Sequence, residues 1–274
     1  TSLVGVSVHE LMHSWYQMVL GFNESYYYWM DEGFTNYAAE RVMNHLRSKG
    51  LIPGDPDPRP FESFYNGYID LVMSGVEEPL STHADHFEDA GAYGAAAYQK
   101  GALFLYQLEY VIGKPAFDQG LLDFFNTWKF KHPDDNDFIR VMEKSSGLEL
   151  DWYRDYMVYS LKTVDYSVDT VFAYQEQSAI ILERIRDMPM PIDVVINTKA
   201  GTQLYYTIPL DIMRGAKEER GPDDKPYELL HDWNWVNPSY LFVVPFTPDQ
   251  IQSVTIDPYM RMLDLDRENN VWAY

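Results

Sequence analysis

His9-Glu10-Leu11-Met12-His13 and Trp29-Met30-Asp31-Glu32-Gly33-Phe34 are the stretches whose reading decides the fold, with 18 residues between His13 and Glu32. Histidines four apart project from one face of a helix and can hold one ion. Neutral imidazole is a favoured zinc ligand. Glu10 lies about 100° around the helix from His9, which sets its carboxylate beside such an ion rather than on it. There it can take a proton from water acidified by the metal. A hydrolytic zinc site also needs a third protein ligand and an open position. The first helix reads from roughly Leu3 to Leu20 and stops at Gly21, where positive φ can close a helix. The third ligand is therefore expected from the next element, and Glu32 lies there, near the start of a second helix from about Met30 to Lys49 that ends at Gly50. Two antiparallel helices joined by a short aromatic link, Phe22 to Tyr28, bring Glu32 to the histidines.

Outward from this pair, Leu51 to Pro60 carries four prolines and reads as an extended loop. Further helices are expected near Phe61–Val72, Ala95–Ile112, Pro115–Phe130, Asp137–Lys144 and Leu150–Leu161, punctuated by Pro115 and Gly147. The pattern then changes to short β-branched and aromatic runs: Ile180–Leu182, Ile192–Ile196, Leu204–Ile208, Leu241–Val244 and Val254–Ile256. Ala200-Gly201, Gly221-Pro222-Asp223-Asp224 and Asn237-Pro238 are the turn signals between them. The expected fold class is α+β, with a boundary near 165–170: a mainly helical domain over 1–165 and a small β-sandwich over 170–274.

Composition excludes several classes. Aromatic residues are 16% of the chain, too many for a disordered protein, and no apolar run approaches the length of a membrane-spanning helix. Asp and Glu number 42 against 21 Lys and Arg, a formal charge of -21 that repels nucleic-acid backbones and anionic membranes. With no cysteine, disulfides, Cys-based zinc sites and thiol nucleophiles are excluded. That composition fits a secreted or periplasmic protein, and also many cytosolic ones.

The two opening stretches together resemble the zinc site of the M1 family of metallopeptidases, gluzincin aminopeptidases with a thermolysin-like catalytic domain. That family's second segment reads close to W-L-N-E-G-F, and Ser14-Trp15 matches its habit of Trp after the first motif. The resemblance implies one zinc per chain bound by His9, His13 and Glu32, with Glu10 as general base and proton shuttle. Ala97-Tyr98-Gln99-Lys100-Gly101-Ala102 resembles the family's Y-x-K-G-A segment, which implies that Tyr98 is its transition-state tyrosine. A phenol donor suits the oxyanion that water attack creates. Tyr93 matches a further tyrosine that some members keep near the site. The resemblance implies peptide substrates and, in the full-length protein, release of N-terminal residues. The chain begins at Thr1, without the family's G-x-M-E-N segment and N-terminal β domain, so it reads as a piece of a longer protein that works with that upstream domain. A non-catalytic zinc-stabilised binding module, a zinc endopeptidase and an epoxide-hydrolysing relative are the alternatives.

Other features have plainer readings. Asn36, four residues beyond Glu32, can support a ligand histidine or simply face solvent. His83 and His86 sit in an acidic loop. Asp134-Asp135-Asn136-Asp137 lacks the marks of a calcium loop and reads as helix capping. Tyr26 to Trp29 reads as core packing at a helix junction.

Overall fold

A computed structural model describes residues 2–221 and 226–274, so most of the turn expected at Gly221-Pro222-Asp223-Asp224 lies outside the described residues. The structure is α+β and divides into two compact units. The first takes in the described residues up to Glu109, then Lys114–Ser146 and Leu150–Leu161; the second takes in Tyr110–Gly113, Gly147–Glu149 and the described residues from Lys162 onward.

The first helix is shorter than its sequence suggests. Helix α1 spans Ser2–Met12 and ends there, not at Leu20. The backbone groups that follow find partners elsewhere. Ser14 N donates to Leu11 O and Trp15 N to Met12 O, which tightens the last turn. Beyond it Gln17 takes a φ of 124°. Phe130 N then donates to Val19 O at 2.7 Å, and Gly21 N to Lys131 O at 3.0 Å. Extended pairing with a segment more than a hundred residues away thus replaces the helix. Gly21 is not in the positive-φ region. It is glycine for room, because a Cβ there would lie 2.8 Å from His132 Nδ1.

The second helix, α2, spans Tyr28–Ser48 and closes onto Lys49 and a left-handed Gly50, as read. Helix α3 spans Glu62–Ser74, and α4 is a short helix over Ala90–Gly94. The stretch expected as one regular helix from Ala95 begins instead with a π-helical turn, Ala95–Lys100, and continues as α5 over Gly101–Ile112. Single π turns inside helices are rare and cluster at functional sites. Helices α6 (Lys114–Trp128), α7 (Asp135–Ser146) and α8 (Asp151–Tyr159) complete the unit. At the start of α7, Asp134 Oδ1 accepts from Asp137 N and Asp137 Oδ2 accepts from Asp134 N, the capping arrangement read from the sequence. The core is an aromatic cluster that fixes α2 in place. Trp29 meets Phe104 with ring centroids 4.9 Å apart, Phe34 meets Phe138 at 4.9 Å, and Phe138 meets Phe124 at 5.0 Å.

The second unit holds two facing sheets. One orders strands β1 (Tyr166–Tyr174), β2 (Gln177–Arg184) and β6 (Ser239–Val244) as β1-β2-β6. The other orders β5 (Glu228–Leu229), β4 (Gln203–Ile208), β3 (Ile192–Thr198), β7 (Ile251–Ile256) and β8 (Val271–Ala273) as β5-β4-β3-β7-β8. Tyr206 and Phe242 pack across the two sheets, ring centroids 5.8 Å apart. Strand β1 carries a register shift between Val168 and Thr170, at Asp169. That bulge breaks the alternation by which strands are recognised in a sequence.

Inside this unit sits a buried ion pair. Lys217 Nζ lies 2.7 Å from Asp193 Oδ2, donates to Tyr110 O at 2.9 Å, and stands 3.8 Å from the Tyr110 ring centroid. Thr207 Oγ1 donates to the other Asp193 oxygen. Removing one partner of a buried pair strands the other charge, at a cost of about 3–5 kcal/mol. Lys217→Met is therefore expected to lower the free energy of unfolding by about that amount and the denaturant midpoint with it. Adding Asp193→Leu to it is expected to recover most of the loss, and equilibrium unfolding of the two variants checks both.

Candidate metal centre

Three donor atoms converge in the helical unit. His9 Nε2 and His13 Nε2 are 3.2 Å apart, Glu32 Oε2 is 3.2 Å from the former and 3.4 Å from the latter. Four-coordinate zinc with ligands at 2.0–2.1 Å requires tetrahedral edges of about 3.3–3.4 Å. The triangle has that size before any ion is considered. Among the described residues, this is the one group of three or more His, Cys, Asp or Glu side chains whose donor atoms meet in this way.

The far sides of both rings settle which nitrogen faces the centre. His9 Nδ1 lies 2.9 Å from Asn36 Oδ1, an acceptor that holds a proton on Nδ1 and leaves Nε2 toward the centre. His13 Nδ1 is ringed by oxygens: Asp31 Oδ1 at 2.9 Å, Tyr16 O at 3.1 Å and Thr35 Oγ1 at 3.2 Å. Without a proton between them, two ring nitrogens and a carboxylate oxygen would point bare at one place. Glu32 Oε2 is also buried without a well-aligned donor of its own. Such a set is repulsive unless a cation sits in it. Its residues fit a dication such as zinc.

Glu10 is exposed and does not join the triangle. It lines a cavity of about 370 Å³ together with Val6, His9, Met43, Phe64 and Tyr98. Its side chain thus shares that cavity with His9 and Tyr98.

Tyr98 reaches the same place from the π turn, its ring centroid 6.0 Å from that of His9. The two partners register each other electrostatically. Burial alone would raise the Glu32 carboxyl, but hydrogen bonding from His9 and from the Tyr98 hydroxyl outweighs it and holds Glu32 below the ordinary carboxylate range. Tyr98 is pushed well up, by burial first and then by Glu32. His9 is raised chiefly by its hydrogen bond to Glu32.

Each residue of the segment Tyr98 to Gly101 is pinned by a different neighbour. Asn36 Nδ2 donates to Tyr98 O at 3.0 Å, so one amide supports both His9 and the Tyr98 backbone. Gln99 fills the space a Cβ would need at Gly67, and buried Lys100 pairs with Glu77 at 2.6 Å. Gly101 lies against Gly33, where an added Cβ would come 2.5 Å from Gly101 Cα; one on Gly101 would come 2.7 Å from Trp29 O.

Of the residues read from the sequence, His9, His13 and Glu32 converge here, Glu10 and Tyr98 line the adjoining cavity with His9, and Asn36 hydrogen-bonds His9 and the Tyr98 backbone. Asp31 and Thr35 were not anticipated as neighbours of His13. Their one signal is that they lie four apart on the helix that carries Glu32. Tyr93 stands in the aromatic wall beside the site, packed on Tyr28 and Phe87, and its hydroxyl is raised by burial and then by Glu32. His83 and His86 have rings 4.8 Å apart, but His83 Nδ1 accepts from Asp85 N, and no third ligand joins them among the described residues. Tyr28 and Trp29 are core residues, whereas Tyr26 is exposed and packs edge-on to His83.

A family model described as the peptidase family M1 domain matches residues 1–157. A leukotriene A-4 hydrolase homolog from Botryotinia fuckeliana is 27% identical over 147 residues, covering 49% of this chain and 21% of that protein. Leucine aminopeptidase 2 from Sclerotinia sclerotiorum is 29% identical over 141 residues, covering 49% of this chain and 22% of its own length. Among solved structures, Legionella pneumophila aminopeptidase A, in complex with aspartic acid, superposes with a TM-score of 0.60 at 15% identity. It covers 95% of this chain and 26% of its own, a likeness of fold. The chain thus spans about a fifth of the length of these curated relatives.

The glycine contact between α2 and the start of α5 yields a direct expectation. Gly101→Ala places a methyl against backbone on both sides, where no side chain can yield, and overpacking of this kind costs about 1–3 kcal/mol. Chemical denaturation is expected to show that loss, and the structure of the variant is expected to show Tyr98 drawn away from Glu32. The same substitution at the open Gly94, where nothing lies within 4 Å, is expected to cost nothing measurable.

Proposed function

The chain belongs to peptidase family M1, and from that premise we propose that it is the metal-bearing part of a zinc aminopeptidase, with His9, His13 and Glu32 as the ligands of one zinc ion. The observation that carries the reading is the donor triangle with edges of 3.2, 3.2 and 3.4 Å, flanked by a non-ligating Glu10 and by Tyr98. Zinc bound there supplies Lewis acidity toward a peptide carbonyl and makes water easier to deprotonate. The division into a thermolysin-like domain over 1–165 and a β-sandwich domain over 170–274 is part of the same proposal.

The remaining chemistry belongs to side chains of this chain. Glu10, on the cavity side, takes the proton of the attacking water and returns it to the departing amine. Asn36 keeps the proton of His9 on Nδ1, so that the ring presents a lone pair throughout. The Tyr98 hydroxyl, raised far above its ordinary pKa, remains a hydrogen-bond donor at neutral pH. It is aimed at the charge that develops on the carbonyl oxygen. Val6, Met43 and Phe64 give the cavity an apolar wall against which a side chain of the substrate can lie.

The test separates binding from chemistry in the intact protein. Wild type is expected to hold one zinc per chain after dialysis, and His9→Ala or Glu32→Ala to hold none, by elemental analysis. Glu10→Gln is expected to keep the zinc and lose about 10²–10⁴ in kcat. Tyr98→Phe is expected to lose about 10²–10³ in kcat with less change in KM. Peptides with a free amino terminus are expected to be cleaved and N-blocked ones spared. Retained turnover in Glu10→Gln would sink the peptidase mechanism, and cleavage of blocked peptides would move the assignment to an endopeptidase.

A further inference from the structure

Lys100 Nζ lies 2.6 Å from Glu77 Oε1, and both side chains are buried. The reaction just described uses neither. A buried pair of this kind adds little to stability over apolar side chains of the same size. What it does supply is direction, because a short charge-assisted hydrogen bond fixes the end of a long flexible side chain at one point.

Lys100 closes the π turn Ala95–Lys100, in which Gly101 N donates to Ala96 O, five residues back. Tyr98 stands two residues before it. Residues two apart on a helical turn project about 200° apart. Lys100 thus faces into the protein, while Tyr98 lies on the other side, 37% exposed, and lines the cavity with His9 and Glu10. A π turn holds one residue more than a regular turn, so its collapse to the α register would rotate the upstream residues by about 100° against α5. Downstream the helix is fixed, because Gly101 lies against the Gly33 backbone. Glu77 has anchors of its own: it follows α3, which left-handed Gly75 closes, and precedes the fully buried Leu80. Asn36 Nδ2 holds the Tyr98 carbonyl from the site. The ion pair holds the same turn from the opposite face.

We propose that Glu77, acting through Lys100, is a positioning residue for Tyr98: the ion pair keeps the turn in its π register and so fixes the direction in which the phenol faces the cavity. The proposal rests on the reading of Tyr98 as the oxyanion donor. It requires that the pair matter to turnover only while the Tyr98 hydroxyl is present. A pair that merely stabilised the fold would matter equally with tyrosine or phenylalanine at position 98.

The experiment uses the intact protein with Glu77→Gln, Tyr98→Phe and the two combined, each assayed for zinc content and for turnover of a free-amino peptide. Glu77→Gln is expected to keep its zinc and to lose up to about 10²-fold in kcat, with a smaller change in KM, as for other small displacements of a catalytic group. Added to Tyr98→Phe, the same substitution is expected to cost less than about twofold, a failure of additivity that marks two residues acting as one unit. If Glu77→Gln does not fold, Glu77→Leu combined with Lys100→Met removes both charges without stranding either. That pair is expected to keep the thermal midpoint and still lose kcat, again only with Tyr98 in place. An equal loss of kcat in both backgrounds, or no loss in either, would overturn the proposal and leave the ion pair a structural one. Tyr98→Phe that turns over like wild type would instead remove the reading on which it rests.

Discussion

The site depends on one close approach of backbones, between Gly33 of α2 and Gly101 at the start of α5. Either glycine would drive a Cβ into the other's main chain or into Trp29 O. The two elements therefore meet with no side chain between them. Glu32 immediately precedes one glycine and Tyr98 lies three residues before the other, so the contact brings a carboxylate and a phenol face to face. Asn36 then ties the arrangement to α1, because its amide joins His9 Nδ1 and Tyr98 O. Three segments far apart in sequence become one rigid constellation. The aromatic core formed by Trp29, Phe34, Phe104 and Phe138 holds the helices that carry it. Placement of this quality is what differential stabilisation of a transition state demands.

Much of this was legible in the sequence because the signals are local. Histidines four apart share a helical face whatever surrounds them, and Glu32 follows at a spacing that a short link can close. Gly50 and Gly147, with φ of 65° and 72°, end helices where glycine-specific backbone is needed. The features that escaped reading are those decided at long range. Nothing between Leu3 and Leu20 reveals that Val19 and Gly21 will pair with residues 130 and 131 and so end α1 at Met12. The π turn is invisible because Ala95-Ala96-Ala97 suits a regular helix equally well. Its extra residue is held by Asn36, Glu77 and Gly33, none of them local. Strand β1 was missed because Asp169 interrupts its alternation, and β5 and β8 because two or three residues carry no periodicity.

The acidity of the chain raises a sharper question about its buried carboxylates. Glu109 accepts from Tyr37 Oη at 2.6 Å and from Arg41 at 3.3 Å. Asp193 has Lys217 and Thr207. Asp135 accepts from Tyr159 at 2.8 Å, and Asp257 and Asp264 accept from backbone N–H groups. Each of these is answered by a donor that the chain itself supplies, and each reads as structure.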